Sequence, residues 1–105
     1  MPQATFWLAS PFREWIGRKT VTVQWEGRIT LREVLERLAV DHPRFRENVS
    51  AAGVKQEAFD HIAAVIVKGD FLALDSAIPD GSTVDVLTPL AGGTRGVGRR
   101  RSGGG

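Results

Sequence analysis

Apolar and polar residues alternate along several short stretches of the chain, and this alternation predicts β-strands. It is clearest in residues 19–26, KTVTVQWE, where Val21, Val23 and Trp25 fall on one face, as in a strand with one buried side. A continuous apolar run, IAAVIV, indicates a central strand. Together with three weaker patterns, these give predicted strands at Ala4–Ala9, Lys19–Glu26, Ile62–Val67, Phe71–Leu74 and Thr83–Thr88, the first two antiparallel.

One stretch follows the helical period instead of the strand period. Thr30 and Glu33 have the spacing of a capping box, in which each side chain binds the backbone N–H of the other residue, so a helix begins there. The dipeptide His42-Pro43 ends it, because a residue before proline disfavours the helical conformation. Residues 43–61 have no firm period, and we expect a loop with some helix. The apolar stripe of the predicted helix consists of Leu31, Val34, Leu35 and Leu38.

The order of elements predicts an α+β fold, in which the helix packs on one face of a small mixed sheet. Alternation along each strand divides its side chains between two faces. If Phe6 and Leu8 face the core, Trp7 points outward, and the same reasoning places Ile66 and Leu87 on the uncovered face. These three side chains would form an apolar patch, unless the loop after the helix folds over them, an alternative that the sequence leaves open.

Composition narrows the chemistry that the chain can perform. Its 105 residues suffice for one domain, and the absence of cysteine excludes disulfides, thiolate metal sites and a cysteine nucleophile. The two histidines, His42 and His61, lack metal-ligand spacing, so we expect no metal site. No apolar run is long enough to span a membrane, and the N-terminus lacks the pattern of a signal peptide. We therefore expect a cytoplasmic protein without membrane contacts.

Charge divides the chain into two parts. Residues 1–93 carry 10 Lys and Arg against 12 Asp and Glu, whereas residues 94–105 carry four Arg and no acid. Since the basic charge lies outside the body, we expect no specific nucleic-acid partner. The last twelve residues include five glycines and one large apolar residue, which is too little apolar surface to offset chain entropy. The predicted division is a domain at 1–90 and a flexible tail at 91–105, which holds Gly92-Gly93 and a basic Gly/Arg-rich extension.

Five segments, taken in chain order, carry a resemblance to a known family. They are FREWIG at 12–17, the helix at 30–38, AVIVKGD at 64–70, IPDGST at 78–83 and VLTPLAGG at 86–93. The element order with this ending is similar to the β-grasp (ubiquitin-like) fold. The segments resemble the MoaD/ThiS family of sulfur-carrier proteins over residues 4–93, and the last of them closely resembles that family's "PPVAGG" ending.

The resemblance implies a non-catalytic carrier whose reactive group is a backbone carboxylate. In the family, a ubiquitin-activating-like adenylyltransferase uses ATP to adenylate the C-terminal carboxylate, and a sulfur donor converts it to a thiocarboxylate. Gly92 and Gly93 match the residues that enter the narrow channel of that enzyme, where glycine permits close approach. The carrier itself binds no cofactor. Family members dock partners through the uncovered sheet face, and the residues expected to bind partners are Trp7, Ile66, Leu87 and Leu90.

Among these carriers, the MoaD type of molybdopterin biosynthesis fits best, because the body with its segment 43–61 is longer than a minimal ThiS-type carrier. Its sulfur acceptor would then be an enzyme such as the large subunit of molybdopterin synthase. Three alternatives stay open. They are a carrier for thiamine, cysteine or tRNA thiolation, a ubiquitin-like modifier joined to lysines through Gly93, and a β-grasp interaction module with an inert tail.

The chain departs from the family at its end, because twelve residues follow Gly93 and make its carboxyl group an internal amide. Three explanations are open. A processing protease removes Thr94–Gly105 and frees Gly93, the terminal Gly103-Gly104-Gly105 is used instead, or the carrier chemistry has been lost. Extended precursors are known in the broader superfamily, which favours the first.

Overall fold

Five strands join in one mixed sheet in the computed structural model, which describes residues 1–49 and 53–89. The strands are β1 (Gln3–Leu8), β2 (Thr20–Gln24), β3 (Ala64–Val67), β4 (Asp70–Phe71) and β5 (Ser82–Leu87). They lie in the order β2-β1-β5-β3-β4. The central strand β5 pairs in parallel with β1 and antiparallel with β3, and the two outer pairs are antiparallel. The predicted α+β class is confirmed.

The helices of the described residues are α1 (Phe12–Ile16), α2 (Leu31–Asp41), α3 (Pro43–Asn48) and α4 (Gln56–Asp60). Helix α2 begins at the predicted capping box. The Thr30 hydroxyl accepts from the N–H of Glu33 at 3.2 Å, and the Glu33 carboxylate accepts from the N–H of Thr30 at 2.9 Å. His42 ends the helix before Pro43, as predicted.

Alternation along the strands produces the core as predicted. Phe6 and Leu8 of β1 are buried, whereas Trp7 between them is exposed. The inward side chains of β3 and β5 join the apolar stripe of α2 in one cluster, and burying each one stabilises the fold by roughly 1.5–3 kcal/mol. These inward side chains are Val65, Val67, Val84 and Val86.

The sequence pattern does not predict α1, which lies between the first two strands. Gly17 ends it with a φ of 85°, a left-handed conformation that glycine adopts without strain. The side chains of Phe12 and Ile16 are buried and form its inner side. The region expected as a loop with some helix contains two short helices, each with one buried phenylalanine, Phe45 in α3 and Phe59 in α4.

The prediction of a strand at Phe71–Leu74 is wrong in its extent, since β4 covers only Asp70–Phe71. Leu74 leaves the sheet because its backbone bonds elsewhere. Its N–H donates to the side-chain oxygen of Gln56 at 2.7 Å, and its carbonyl accepts from the N–H of Arg32 at 2.8 Å. The other predicted strands are confirmed, with ends shifted by one or two residues.

A two-residue turn, Lys68-Gly69, joins β3 to β4. Both residues have positive φ, 53° and 83°, as the turns that match the twist of a hairpin require. The turn fixes the hairpin register, so that Ile66 pairs with Phe71.

Candidate functional site

One row of side chains crosses the uncovered face of the sheet from strand to strand. In the strand register, Trp7 of β1 and Ile66 of β3 both lie directly opposite Asp85 of β5. Phe71 of β4 lies opposite Ile66 and extends the row to the edge of the sheet. Leu87 is two residues beyond Asp85 on β5 and therefore shares its face.

The apolar members of this row are open to solvent. Trp7 is 51% exposed, Phe71 79% and Leu87 37%, and Ile66 is half-buried. The structure thus brings together Trp7, Ile66 and Leu87, as the strand alternation predicts. Within the described residues, helices α3 and α4, which lie in the segment predicted to be a loop with some helix, leave Trp7 uncovered. Exposed apolar side chains grouped on one face of a sheet are typical of an interaction surface.

A groove of about 860 Å³ adjoins the patch where β5 ends. Its walls come from α4, β3, the segment after β4 and the end of β5, and they include Ile66, Phe71 and Leu87. At its rim the amide nitrogen of Gln56 donates to the carboxylate of Asp60 at 2.8 Å. Most of the residues that line the groove are apolar, and Gln56 and Asp60 form a hydrogen-bonded pair among them.

Phe71 is the member of the patch that sequence reasoning missed. The sequence pattern predicts a strand after Gly69-Asp70, but by itself does not show which face of the sheet its residues occupy. The signal was available in the two-residue turn, because a tight hairpin places the residues on either side of it in register. Counting outward from Lys68-Gly69 pairs Phe71 with Ile66 and puts both on the uncovered face.

A model of the ThiS family matches residues 8–93 of the chain. The chain belongs to the ThiS family. No curated protein matches it, but solved structures do, and they confirm the β-grasp, ubiquitin-like fold. The small archaeal modifier protein 1 of Haloferax volcanii is 25% identical, with a TM-score of 0.69 over 86% of this chain and 100% of its own.

Two further structures share the fold at lower identity. A putative molybdopterin converting factor subunit 1 from Pyrococcus furiosus is 21% identical, with a TM-score of 0.68 over 86% of this chain and 100% of its own. A chain of the Amycolatopsis orientalis BexX/CysO complex is 23% identical, with a TM-score of 0.61 over 86% of this chain and 99% of its own. Small carriers of this family work with partner enzymes, and the last structure is itself a complex.

The remaining predicted site residues of this ThiS-family chain, Leu90, Gly92 and Gly93, lie outside the described residues, as does the predicted tail. The last described residue, Pro89, lines the groove at the end of β5. The described chain therefore ends beside Leu87, at the edge of the apolar patch. The assignment of partner binding to Trp7, Ile66, Leu87 and Leu90 stays a prediction.

In residues 1–49 and 53–89, no three His, Asp or Glu side chains are grouped so as to hold a metal ion. Likewise, none of the helices in these two ranges is long and apolar enough to cross a membrane. What this part of the chain offers to a partner is a surface and the direction in which β5 leads the chain.

Proposed function

We propose that this ThiS-family chain is a sulfur carrier of the MoaD type that acts in molybdopterin biosynthesis. Removal of Thr94–Gly105 frees the carboxylate of Gly93. A ubiquitin-activating-like adenylyltransferase activates this carboxylate with ATP, and an enzyme such as the large subunit of molybdopterin synthase receives the sulfur. The carrier supplies no catalytic side chain and binds no cofactor of its own.

The observation that carries this proposal is the boundary of the family match. The match ends on Gly93, the second residue of the diglycine, and leaves the twelve basic and glycine-rich residues outside. The family pattern therefore ends just before the basic segment begins. This coincidence supports Gly93 as the residue whose carboxylate reacts, rather than the triglycine at the end of the chain.

The chemistry needs only the carboxylate on the side of the carrier. One carboxylate oxygen of Gly93 attacks the α-phosphorus of ATP, which forms an acyl adenylate and expels pyrophosphate. The terminal sulfur of a donor's persulfide then attacks the acyl carbon, expels AMP and forms an acyl disulfide with the donor. A thiol attacks the donor's sulfur in that disulfide, so that the donor leaves in a new disulfide and the thiocarboxylate is released. Glycine suits this position because a side chain would widen the segment that must reach the nucleotide.

The uncovered face supports a role for a docked partner. Trp7, Ile66, Phe71 and Leu87 form an apolar surface beside the point where β5 directs the chain toward Gly93. An enzyme that binds this surface would hold the end of β5, from which the chain runs on to Gly93, in a defined orientation. Holding two reactants in a defined orientation is a large part of what accelerates a bimolecular step.

The test compares three chains with the family adenylyltransferase encoded in the same genome: the 105-residue chain, a chain ending at Gly93, and the Gly93-ended chain with Gly93→Ala. We expect ATP–pyrophosphate exchange with the Gly93-ended chain and little with the other two. Gly93→Ala should change the free energy of unfolding by less than about 0.5 kcal/mol, since the position lies outside the core. Equal exchange by the 105-residue chain, with AMP attached at Gly105, would overturn the role of Gly93.

A second function has one observation in its favour. The similar structure from Haloferax volcanii is that of a protein named as a modifier, which suggests conjugation of Gly93 to lysine amines. Intact mass spectrometry of the chain from its native host separates the two functions. A thiocarboxylate at Gly93 is heavier than the carboxylate by the difference between sulfur and oxygen, whereas a modifier appears as isopeptide-linked adducts on other proteins.

The pathway is tested with the thiocarboxylated chain itself. We expect it to restore molybdopterin formation by a molybdopterin synthase large subunit. Sulfur transfer in thiazole, cysteine or tRNA thiolation assays without transfer in this one would assign the carrier to a different pathway.

A further inference from the structure

Asp85 places a negative charge at the centre of the apolar surface. It occupies the middle of β5, which is the third of five strands. Trp7 and Ile66 lie directly opposite it on the two neighbouring strands, about 5 Å away by the usual spacing of strands. Leu87 follows on the same strand and face, so apolar side chains surround the carboxylate on three sides.

An aspartate is out of place here by the rules that govern strands. Asp is among the residues least favoured in strands, where branched and aromatic side chains pack best. The alternation of β5 puts Val84 and Val86 in the core, so the position of Asp85 on the uncovered face is fixed by the fold. A residue that breaks a local rule without a structural benefit is expected at a functional site.

No cation compensates this charge within the described residues. The ion pairs of residues 1–49 and 53–89 join Arg13 to Glu14 and Arg32 to Asp75, and Asp85 accepts no hydrogen bond from this part of the chain. While the face is open, water solvates the carboxylate. Once a partner covers the face, that water is lost, and an unpaired buried carboxylate would strongly oppose binding.

We propose that the partner that covers this face presents an arginine to Asp85, and that this pair determines which partners the carrier accepts. The inference rests on the proposed function, which supplies the adenylyltransferase as the partner. Arginine fits better than lysine for two reasons. Its planar guanidinium forms two parallel hydrogen bonds with a carboxylate, and the same plane stacks on the indole of the adjacent Trp7.

The partner surface is therefore apolar with one arginine near its centre. Its apolar part contacts Phe71 and Leu87 and enters the groove beside them. A partner with an acidic centre would repel Asp85, and a partner with a purely apolar centre would leave it unpaired. Either partner would bind this face weakly. Asp85 thus acts as a specificity determinant, and the apolar side chains supply most of the affinity.

Two other occupants offer arginines, and both fit less well. Residues 94–105 carry four Arg, but a glycine-rich segment loses much conformational entropy when it is held on a surface, and exposed ion pairs return little. A second copy would bring its own Asp85 to the same face in a symmetric pair, which adds a repulsion.

The experiment measures binding of the Gly93-ended chain to the adenylyltransferase by calorimetry, for the unchanged chain, for Asp85→Asn and for Asp85→Arg. Asp41→Asn at the end of α2 is the matched control, because it removes an exposed carboxylate away from this face. We expect Asp85→Asn to weaken binding at least about 30-fold, as when one partner of a buried charge pair is lost. The control should not change it.

Two readouts exclude a merely structural effect. The melting temperature of Asp85→Asn should equal that of the unchanged chain or exceed it, so that affinity falls without any loss of stability. Binding of Asp85→Arg should be restored by changing one arginine of the enzyme's contact surface to aspartate. Rescue by one such exchange identifies the paired arginine.

Equal affinities of the unchanged chain and Asp85→Asn overturn the inference, provided that the unchanged chain is adenylated. If the unchanged chain is not adenylated at all, the proposed function fails and the inference falls with it. Sedimentation that shows a dimer dissociated by Asp85→Asn assigns the face to a second copy and overturns it as well. A third outcome also overturns it: the 105-residue chain binds the enzyme more weakly than the Gly93-ended chain, and Asp85→Asn removes this difference. The chain's own arginines would then occupy the site.

Discussion

Single side chains on the uncovered face have different energetic roles from their neighbours in sequence. Trp7 lies between buried Phe6 and Leu8 and yet is half exposed. Truncating a core residue creates a cavity, whereas truncating an exposed residue removes only contacts with a partner. The two classes of residue alternate along β1, β3 and β5, so that substitutions one position apart should separate folding from binding.

We expect Trp7→Ala and Ile66→Asp to weaken binding of the adenylyltransferase by at least about 1–2 kcal/mol, the magnitude of an interface hot spot. Their effect on stability should be much smaller than that of Leu35→Ala, a core truncation that costs on the order of 2–5 kcal/mol. Val40, exposed on α2, provides the control Val40→Ala. Paired titrations and thermal melts measure both quantities. Unchanged affinity would place the partner surface elsewhere.

At the scale of elements, α2 depends on charge at its first turn. Glu33 accepts hydrogen bonds from the N–H and the hydroxyl of Thr30 at 2.9 and 3.0 Å. The Thr30 N–H first, and then its hydroxyl, lower the pKa of the Glu33 carboxyl below its usual value. Because the pKa is lower in the folded state, this carboxylate stabilises the fold at pH values above its unfolded pKa, and the contribution disappears as the pH falls through the folded pKa.

Glu33→Gln should therefore lower the free energy of unfolding at neutral pH and have a diminishing effect as the solution is acidified below about 4.3, the ordinary pKa of glutamate. Denaturant unfolding of both chains between neutral and acidic pH measures the difference. Glu36→Gln serves as the control, because it removes an exposed carboxylate of the same helix that accepts no hydrogen bond from residues 1–49 and 53–89. A difference that stays constant with pH would contradict this account of the capping box.

The elements that the sequence predicts correctly are those that depend on a long or regular pattern. Strand β5 alternates over six residues, and α2 combines a cap, an apolar stripe and a stop. Helices α1 and α4 have only five residues each, too few for a helical period to be visible. The end of β4 depends on hydrogen bonds from Leu74 to distant segments, which no local pattern contains.

At the scale of the whole molecule, some residues of the candidate site can be predicted from local patterns and others cannot. Trp7, Ile66 and Leu87 follow from alternation, because each strand has one buried side. To place Phe71 on this face, one must also know the register across the turn. To place Asp85 among these residues, one must know the order of the strands. The pairing of β5 with both β1 and β3 is a tertiary fact, so composition and spacing alone could not show that Asp85 lies between two apolar neighbours.

The predicted division of the chain into a domain and a tail makes a further expectation about the whole molecule. A chain ending at Gly93 should melt within about 2–4 °C of the 105-residue chain, which corresponds to about 0.5 kcal/mol for a domain of this size. Thermal melts followed by circular dichroism measure the difference. A larger fall would mean that residues 94–105 pack against the domain.

The turn at Lys68-Gly69 has a consequence for how relatives of this chain diverge. Both residues of β4 are exposed, so no core contact constrains the identity of the residue at Phe71. One residue inserted into the turn would shift the pairing of β4 with β3 and move Phe71 to the opposite face. The edge of the surface thus depends on the length of a two-residue loop, whereas its charged centre is held by the middle strand of the sheet.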